Sequence, residues 1–409
     1  MKRWFLLTLA LVLLLTACGG KTVPPPPEEE NAPPADAPPP MPETPAKPVD
    51  PEEAALQALL NGLSLEEKVG QLFFVKVPAE NALEDVTAYH LGGYLLFSKD
   101  TKDLTANELI QKIASWQAET ADSGIPLLIG ADEEGGTTAR ISSNPHIRSK
   151  RFSSPGKLWR QGELEAVKEE AREKAILLKA IGVNVNLAPV ADVSTNPADF
   201  MYDRTTGGDE TTAAAFVGAV LEVQTRYGLG SVMKHFPGYG NNRDTHNGAA
   251  VDERSLDTFW NQDFVPFQSG IDFGNRHPLG PAVLVSHNIV KCMDPDLPAS
   301  LSPEVHRVLR DELGFDGVVM TDDLAMGAVS AYAADGNAAV MSLQAGNDLV
   351  VTTDYRAQIP RVIAAVEEGE LPESVIDTAC LRVLRWKLEL GLLELTEEWK
   401  LVSTVIPWG

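Results

Sequence analysis

A cluster of ionisable side chains lies in the segment Lys234–Gly248, which reads KHFPGYGNNRDTHNG. Asp244 and His246 are two residues apart, so the carboxylate could accept a hydrogen bond from the imidazole and fix its tautomer. Such an imidazole titrates near neutral pH and can act first as a general acid and then as a general base. The alternative is a turn in which the aspartate of DTH only caps the backbone.

Further polar side chains directly follow short apolar runs, as residues at the ends of buried strands do. Asp132 closes PLLIGAD, Asp192 closes VNVNLAPVAD, Lys234 and His235 close SVMKH, His287 closes AVLVSH, and Asp322 closes GVVMTD. Each of these could be a structural residue with satisfied hydrogen bonds. Together they favour an active site, because α/β barrels assemble their active sites at the C-terminal ends of the strands.

Eight apolar runs, separated by segments of helical length, predict the strands that position these side chains. The runs are Leu72–Val77, Gly93–Phe97, Pro126–Gly130, Val183–Pro189, Ser231–Phe236, Ala282–Ser286, Gly317–Met320 and Asp348–Thr352. Their nearly continuous hydrophobicity is typical of strands buried on both faces. Since no dinucleotide fingerprint is present, the pattern favours a single-domain α/β fold, a (β/α)8 TIM-like barrel, over a doubly wound open sheet. A capping box formed by Ser64 and Glu67 predicts a helix before the first strand.

The N-terminal residues predict export followed by lipid attachment. Residues 1–17 combine a basic start with an apolar run that is short for a bilayer span, which is typical of a signal peptide. The following LTAC resembles the bacterial lipobox, so we expect a lipid on Cys18. Residues 18–51 are rich in proline and cannot bury a core, and they would form an extended linker of up to roughly 90 Å. The catalytic domain would then span residues 52–409.

The composition and the remaining motifs exclude several other classes of protein. A formal net charge of -24 leaves no basic surface for nucleic acid or for anionic lipid. No Walker-type loop, HExxH or GxSxG is present, and Arg243 interrupts a GxGxxG. His235 and His246 have no further ligand at a suitable spacing, so we expect no metal or other cofactor. Cys292 and Cys380 could form one disulfide, although the sequence favours two buried free thiols.

Three segments, KHFPGYG with DTH, ADEEGG and VVMTDDLAMGA, together resemble the signature segments of glycoside hydrolase family 3. The DTH loop resembles that of the family's β-N-acetylglucosaminidase branch, and the resemblance covers essentially the whole barrel. It implies that Asp322 is the nucleophile, that His246 is the acid/base, and that Asp244 is the partner of His246. It also implies that four residues bind the sugar, namely Asp132, Arg204, Lys234 and His235. We add His287 to this group because it stands at the end of a predicted strand.

Three departures from the family pattern concern the loops around this site. Glu133 stands where glutamine is usual, Tyr239 stands where histidine is common, and no proline follows His246 at the usual short distance. None of these departures removes a predicted catalytic group. Many family members carry a second α/β domain after the barrel, whereas here we expect the barrel alone.

The sequence therefore predicts a retaining exo-β-N-acetylhexosaminidase that removes terminal N-acetylglucosamine from peptidoglycan-derived or related glycans. We expect a monomer that works without a cofactor and is lipid-anchored to the extracytoplasmic face of a bacterial cell membrane. Two alternatives stay open. One is a β-glucosidase or another family 3 glycosidase on the same barrel, and the other is a non-catalytic wall-binding lipoprotein.

Overall fold

The computed structural model describes residues 50–245, 248, 250–333, 337–398 and 400–404. The predicted signal peptide, Cys18 and nearly all of the predicted linker lie outside the described residues, and so does His246. The domain boundaries predicted above therefore remain predictions. Within the described residues, no helix is both long enough and apolar enough to cross a membrane.

Eight parallel strands form one sheet in the described part of the chain. They are β1 (Phe73–Lys76), β2 (Gly93–Leu96), β3 (Leu128–Ala131), β4 (Val185–Asn186), β5 (Gly230–Phe236), β6 (Ala282–Val285), β7 (Val319–Thr321) and β8 (Val350–Thr352). Their order is β7-β6-β5-β4-β3-β2-β1-β8, and a parallel bridge between Met320 and Leu349 joins the strands at the two ends of this order. All eight predicted strands and the (β/α)8 barrel are thereby confirmed.

Helices connect the strands and surround the sheet. Within the described residues the α-helices are α1 (Pro51–Gly62), α2 (Leu65–Gln71), α3 (Glu84–Ala88), α4 (Ser98–Thr101), α5 (Ala106–Ala118), α6 (Pro155–Ala180), α7 (Glu210–Arg226), α8 (Leu256–Thr258), α9 (Phe264–Gly274), α10 (Pro303–Arg307), α11 (Gly327–Ser330), α12 (Ala338–Ala345), α13 (Tyr355–Glu367) and α14 (Glu373–Glu389). The predicted capping box begins α2: Ser64 Oγ accepts from the Glu67 N–H at 3.2 Å, and the Glu67 carboxylate accepts from the Ser64 N–H at 2.7 Å.

Shorter elements position parts of the barrel rim. A 3-10 turn, Tyr202–Arg204, presents Arg204, and a hairpin pairs Glu133–Gly135 with Thr138–Ala139 after β3. The remaining short strands are Val251–Asp252 with Ile289–Val290, which are parallel, and Leu393–Leu395 with Leu401–Ser403, which are antiparallel. The described residues also include a second 3-10 turn, Ala299–Leu301, and two π-helical turns, Phe259–Asp263 and Val308–Glu312.

The barrel interior is filled by side chains from the strands. Phe74 of β1 is fully buried, and its ring lies against β2 and β3. A Cβ atom on Gly130 would lie 2.3 Å from Cζ of Phe74, so the glycine in β3 provides the space for this ring. Cys380 is buried and Cys292 is half-buried, and both are free thiols. The structure therefore agrees with the favoured interpretation of the cysteines, except that Cys292 is only partly buried.

Candidate active site

One cavity at the C-terminal end of the barrel brings together six of the predicted site residues. Its volume is about 370 Å³, and its lining includes Asp132, Arg204, Lys234, His235, Asp244 and Asp322. These residues come from β3, β5, β7 and the loops between them, which are far apart in the sequence. The parallel strands all end on the same side of the barrel, so residues at their C-terminal ends converge there.

Asp322 directly follows β7 and is partly accessible in this cavity. Its backbone N–H donates to the carbonyl of Val285 at 3.0 Å, and its Oδ1 accepts from the N–H of Asp323 at 2.8 Å. Burial alone would raise the pKa of Asp322, but electrostatic interactions with His287, His235 and Lys234, together with that N–H, lower it below the ordinary value. The carboxylate is therefore held in its ionised form.

A network of two cations and two carboxylates lies at one wall of the cavity, and three of its members, Asp132, Arg204 and Lys234, line it. Lys234 Nζ lies 2.6 Å from Asp132 Oδ1 and 2.7 Å from Glu134 Oε1. Arg204 donates to both oxygens of Glu134, at 3.0 and 2.7 Å. Burial on its own would raise the pKa of Glu134, but Arg204 and Lys234 hold it far below the ordinary value. Glu134 is therefore held in its ionised form, and the network presents fixed donors and acceptors of the kind that bind sugar hydroxyls.

His235 is a neutral imidazole held between Asp192 and Arg204. Its Nδ1 lies 2.7 Å from Asp192 Oδ2, and its Nε2 lies 3.2 Å from Arg204 Nη2. A guanidinium can only donate, so Nε2 accepts and the ring proton is on Nδ1, where Asp192 accepts it. Asp192 also accepts from the N–H of Tyr239 at 2.7 Å, which connects this wall to the start of the loop that follows β5.

Asp244 reaches the same cavity from that loop. Next to it, Thr245 Oγ1 lies 2.5 Å from the hydroxyl of Tyr239. Tyr239, which stands where the family commonly has a histidine, therefore links the start of the loop to the residue that follows Asp244. His246 lies outside the described residues, so its predicted role stays a prediction.

His287 does not line the cavity, in contrast to the sugar-binding role predicted for it. Its side chain is fully buried, with Nδ1 2.7 Å from Ser300 Oγ and Nε2 3.0 Å from the carbonyl oxygen of Asp323. Both ring nitrogens thus face protein partners and none faces a ligand. In this position His287 supports the backbone beside Asp322, and the strand-end rule fails here because the residue points into the protein.

Glu133 also has a structural position. It is fully buried, and its carboxylate accepts from the N–H of Ile141 at 2.7 Å and from the N–H and hydroxyl of Ser142. Glu133, which stands where the family usually has glutamine, therefore stabilises the turn after the hairpin, and its carboxyl group does not line the cavity.

Sequence reasoning missed Glu134, Arg140 and Lys76, although all three contribute to this end of the barrel. Arg140 lies 3.7 Å from Asp132, and Lys76 is ion-paired with Asp323. The role of Glu134 is predictable from the sequence, because the residue stands in ADEEGG and two cations at one rim of the barrel require a buried counter-charge. Arg140 and Lys76 had no such signal, since their contacts depend on tertiary structure.

The geometry of the acidic and histidine side chains also bears on metal binding. Within the described ranges, no group of three or more histidine, cysteine, aspartate or glutamate side chains is placed to hold a metal ion. Three carboxylates of the cavity, Asp132, Asp322 and Asp323, are bonded instead to lysine, arginine or backbone N–H groups.

Comparison with known proteins shows that the chain is a glycoside hydrolase and gives its family. The sequence model of the glycosyl hydrolase family 3 N-terminal domain matches residues 64–386. The chain is 33% identical over 348 residues to Beta-hexosaminidase LpqI of Mycobacterium tuberculosis, and the match covers 82% of this chain and 85% of that protein. The chain therefore belongs to glycoside hydrolase family 3.

Solved structures agree with this assignment. A glycoside hydrolase family 3 β-N-acetylglucosaminidase from Paenibacillus sp. str. FPU-7 superposes with a TM-score of 0.74 at 30% identity. That match covers 84% of this chain and 66% of the Paenibacillus chain, so this chain spans slightly less than two thirds of its length. A β-N-acetylhexosaminidase from Beutenbergia cavernae has a TM-score of 0.67 at 32% identity, and the match covers 79% of this chain and 98% of that one.

The buried charge network predicts a measurable stability effect for Glu134→Gln. Neutralising Glu134 leaves Arg204 and Lys234 short of a counter-charge, so we expect the free energy of unfolding to fall by about 3–5 kcal/mol at pH 7. Because the pKa of Glu134 is lowered on folding, its contribution to the free energy of unfolding is fully present when the pH is above the ordinary pKa of 4.5. This contribution disappears only as the pH falls through the lower pKa of the folded state.

Urea denaturation of wild type and variant between pH 8 and pH 4 measures this difference. The exposed ion pair between Glu173 and Arg148, at 2.8 Å, offers a control, and Glu173→Gln should change stability by less than about 1 kcal/mol. A Glu134→Gln protein as stable as wild type would show that Glu134 is not the counter-charge of the network.

Proposed function

We propose that this protein is a retaining, exo-acting β-N-acetylhexosaminidase that removes terminal N-acetylglucosamine from glycans such as peptidoglycan fragments. The observation that supports it most is the shared cavity of Asp322 and Asp244, whose wall is formed by the network of Asp132, Lys234 and Arg204. A carboxylate nucleophile and an acid/base group are the two groups that a retaining glycosidase requires.

The reaction assigns each group a role. Asp322 attacks the anomeric carbon and forms a glycosyl-enzyme, while His246 protonates the departing oxygen. His246 then removes a proton from the water that hydrolyses the intermediate, and Asp244 fixes its tautomer. Asp132 accepts from sugar hydroxyls, and Lys234 has a third N–H left beyond its two carboxylate partners for donation to the sugar.

The choice of N-acetylglucosamine rests on the resemblance of the DTH loop and on the names of the relatives. Purified protein should therefore hydrolyse p-nitrophenyl N-acetyl-β-glucosaminide with kcat/KM at least about 100-fold higher than the β-glucoside, because the site binds the acetamido group. Equal or greater activity on the glucoside would replace this proposal with a β-glucosidase. Inactivity on every glycoside would favour a non-catalytic wall-binding protein.

We further propose that the protein acts outside the cytoplasm on a lipid anchor at Cys18. The relatives support the first part, since one of them, from Arthroderma benhamiae, is named as a secreted glycosyl hydrolase and is 26% identical over 345 residues. The anchor rests on the lipobox and on the proline-rich segment between it and the barrel.

Cys18→Ser should abolish lipidation, because the thiol is the acceptor of the lipid. We expect the variant to remain unprocessed or to be released, and an isolated domain that begins near residue 50 to keep full activity. Membrane fractionation, with mass spectrometry of the mature N-terminus, checks this result. Partition of a correctly cleaved Cys18→Ser protein with the membrane would contradict the anchor.

A further inference from the structure

One arginine, Arg254, is bonded to both ends of the loop that carries Asp244. Its Nε donates to the two oxygens of Asp252 at 3.1 and 3.0 Å, and its Nη2 donates to Asp252 Oδ2 at 2.7 Å. Its Nη1 donates to Asp263 Oδ2 at 2.8 Å. Both carboxylates are buried, and the guanidinium lies 4.4 Å from the centre of the Phe259 ring. The arginine is thus fixed on the side of the loop where the chain leaves it.

From there the contacts reach across to the start of the loop. Arg254 Nη2 donates to the carbonyl of Gly238 at 3.1 Å. Asp252 Oδ2 accepts from the amide of Asn242 at 2.6 Å, and the same amide donates to the carbonyl of Tyr239 at 2.8 Å. Residues 238–242 and 252–254 are therefore joined directly, with Asp244 in the segment between them.

The backbone is shaped for this arrangement. Gly240 has a φ of 52°, and a Cβ atom there would lie 2.3 Å from Cζ of Arg254. Gly238 has a φ of 125°, and its Cβ atom would lie 2.2 Å from Oδ1 of Asp263. Two glycines in the left-handed region thus allow the loop to pass against the guanidinium and its partner.

Lysine cannot reproduce these contacts. The planar guanidinium offers five N–H groups in a fixed fork, whereas an ammonium offers three from one point. Burial raises the pKa of Asp263 to about 7, against the opposing effect of Arg254, so a cation that cannot bond to Asp252 and Asp263 at once would leave this carboxyl less well compensated. The site is built for arginine in particular.

We propose that Arg254 is a positioning residue for proton transfer: it sets where the loop places Asp244 in the cavity. The inference rests on the function proposed above. It assigns Arg254 no contact with the substrate. From Gly238 the connection continues through Tyr239, whose hydroxyl meets Thr245 beside Asp244.

The test compares good and poor leaving groups. A dinitrophenolate departs with little help from an acid, whereas a sugar hydroxyl requires a proton. Arg254→Lys should therefore lose about 100-fold in kcat/KM on a disaccharide and less than about fivefold on the dinitrophenyl glycoside of the same sugar. Retained turnover of the activated substrate shows at the same time that the rest of the site is intact.

Arg310 provides a matched control at the other end of the barrel. It donates to Asp348 Oδ2 at 2.6 Å and to the carbonyls of Phe315 and Gly317 at 3.0 and 2.6 Å, in a similarly buried setting. Arg310→Lys should leave the ratio between the two substrates at the wild-type value.

The outcomes separate this inference from the proposed function. An equal loss on both substrates, or no loss on either, overturns the role of Arg254 while wild-type activity still supports a glycosidase. If Arg254→Lys does not fold, Asn242→Ala decides, because it removes only the bridge between Asp252 and the Tyr239 carbonyl. A selective loss of about tenfold on the disaccharide supports the proposal, and a uniform loss or none overturns it. Wild-type inactivity on every glycoside would overturn both.

Discussion

Replacing Asp322 with asparagine should lower kcat on an N-acetylglucosaminide by on the order of 10⁴-fold or more, with the fold unchanged. The amide cannot form the glycosyl-enzyme, and it has nearly the same shape as the carboxylate. Oδ1 of Asp322 acts as the acceptor of the Asp323 N–H, so the amide oxygen of asparagine can keep this hydrogen bond. Steady-state kinetics with circular dichroism of both proteins measures the two expectations together.

Asp323 is the natural control for this substitution. It is adjacent to Asp322, but its carboxylate is ion-paired with Lys76 and accepts from the N–H of Ala325 at 3.0 Å. Asp323→Asn should therefore retain covalent labelling even where its rate falls. A 5-fluoro sugar should label wild type on Asp322, located by fragmentation mass spectrometry, and label on Asp323 or Glu133 would contradict the assignment.

The lowered pKa of Asp322 adds a constraint on the pH profile. A carboxyl whose folded-state pKa lies below the ordinary value of 3.8 stays ionised at pH 5 and above. A loss of activity between pH 7 and pH 5 would therefore report another group, and protonation of the nucleophile would contribute only in stronger acid.

The barrel could be predicted from the sequence because its signal is local. Each of the eight strands is a short apolar run with helical residues on either side, and burial on both faces makes such runs conspicuous. The strand ends then indicated one rim, where Asp132, Lys234, His235 and Asp322 meet in a single cavity. Strand boundaries were less certain, since only Val185–Asn186 of the predicted Val183–Pro189 is regular strand.

The partners of these residues could not be predicted, because they are set by contacts between distant segments. Glu134 bonds to Arg204, which lies 70 residues away, and His287 donates from Nε2 to the Asp323 carbonyl, 36 residues away. Local patterns describe neither the direction of a side chain nor its counter-charge. His287 shows the consequence: its place at a strand end suggests a ligand contact, whereas its two ring nitrogens are bonded to Ser300 and to the backbone of Asp323.

The remaining prediction concerns the acid/base, and it tests the mechanism more directly than the loss of a nucleophile does. If His246 protonates the departing oxygen, its removal should matter most for leaving groups that need a proton. We therefore expect His246→Ala to lose roughly 10³-fold in kcat/KM on a disaccharide or muropeptide and less than about tenfold on a dinitrophenyl glycoside. With the activated substrate the glycosyl-enzyme should accumulate, because the second step now lacks its base, and added azide should speed its breakdown.

Asp244→Asn is the companion variant, since an amide can still accept a hydrogen bond but no longer favours the protonated imidazole. It should show the same preference for the activated substrate with a smaller loss, on the order of 10-fold to 100-fold on the disaccharide. An equal loss on both substrates for His246→Ala would make the histidine a binding or structural residue. The acid would then have to be sought among the other groups of the cavity, and Glu133 is a poor candidate, because it is buried and its carboxylate is already bonded to Ile141 and Ser142.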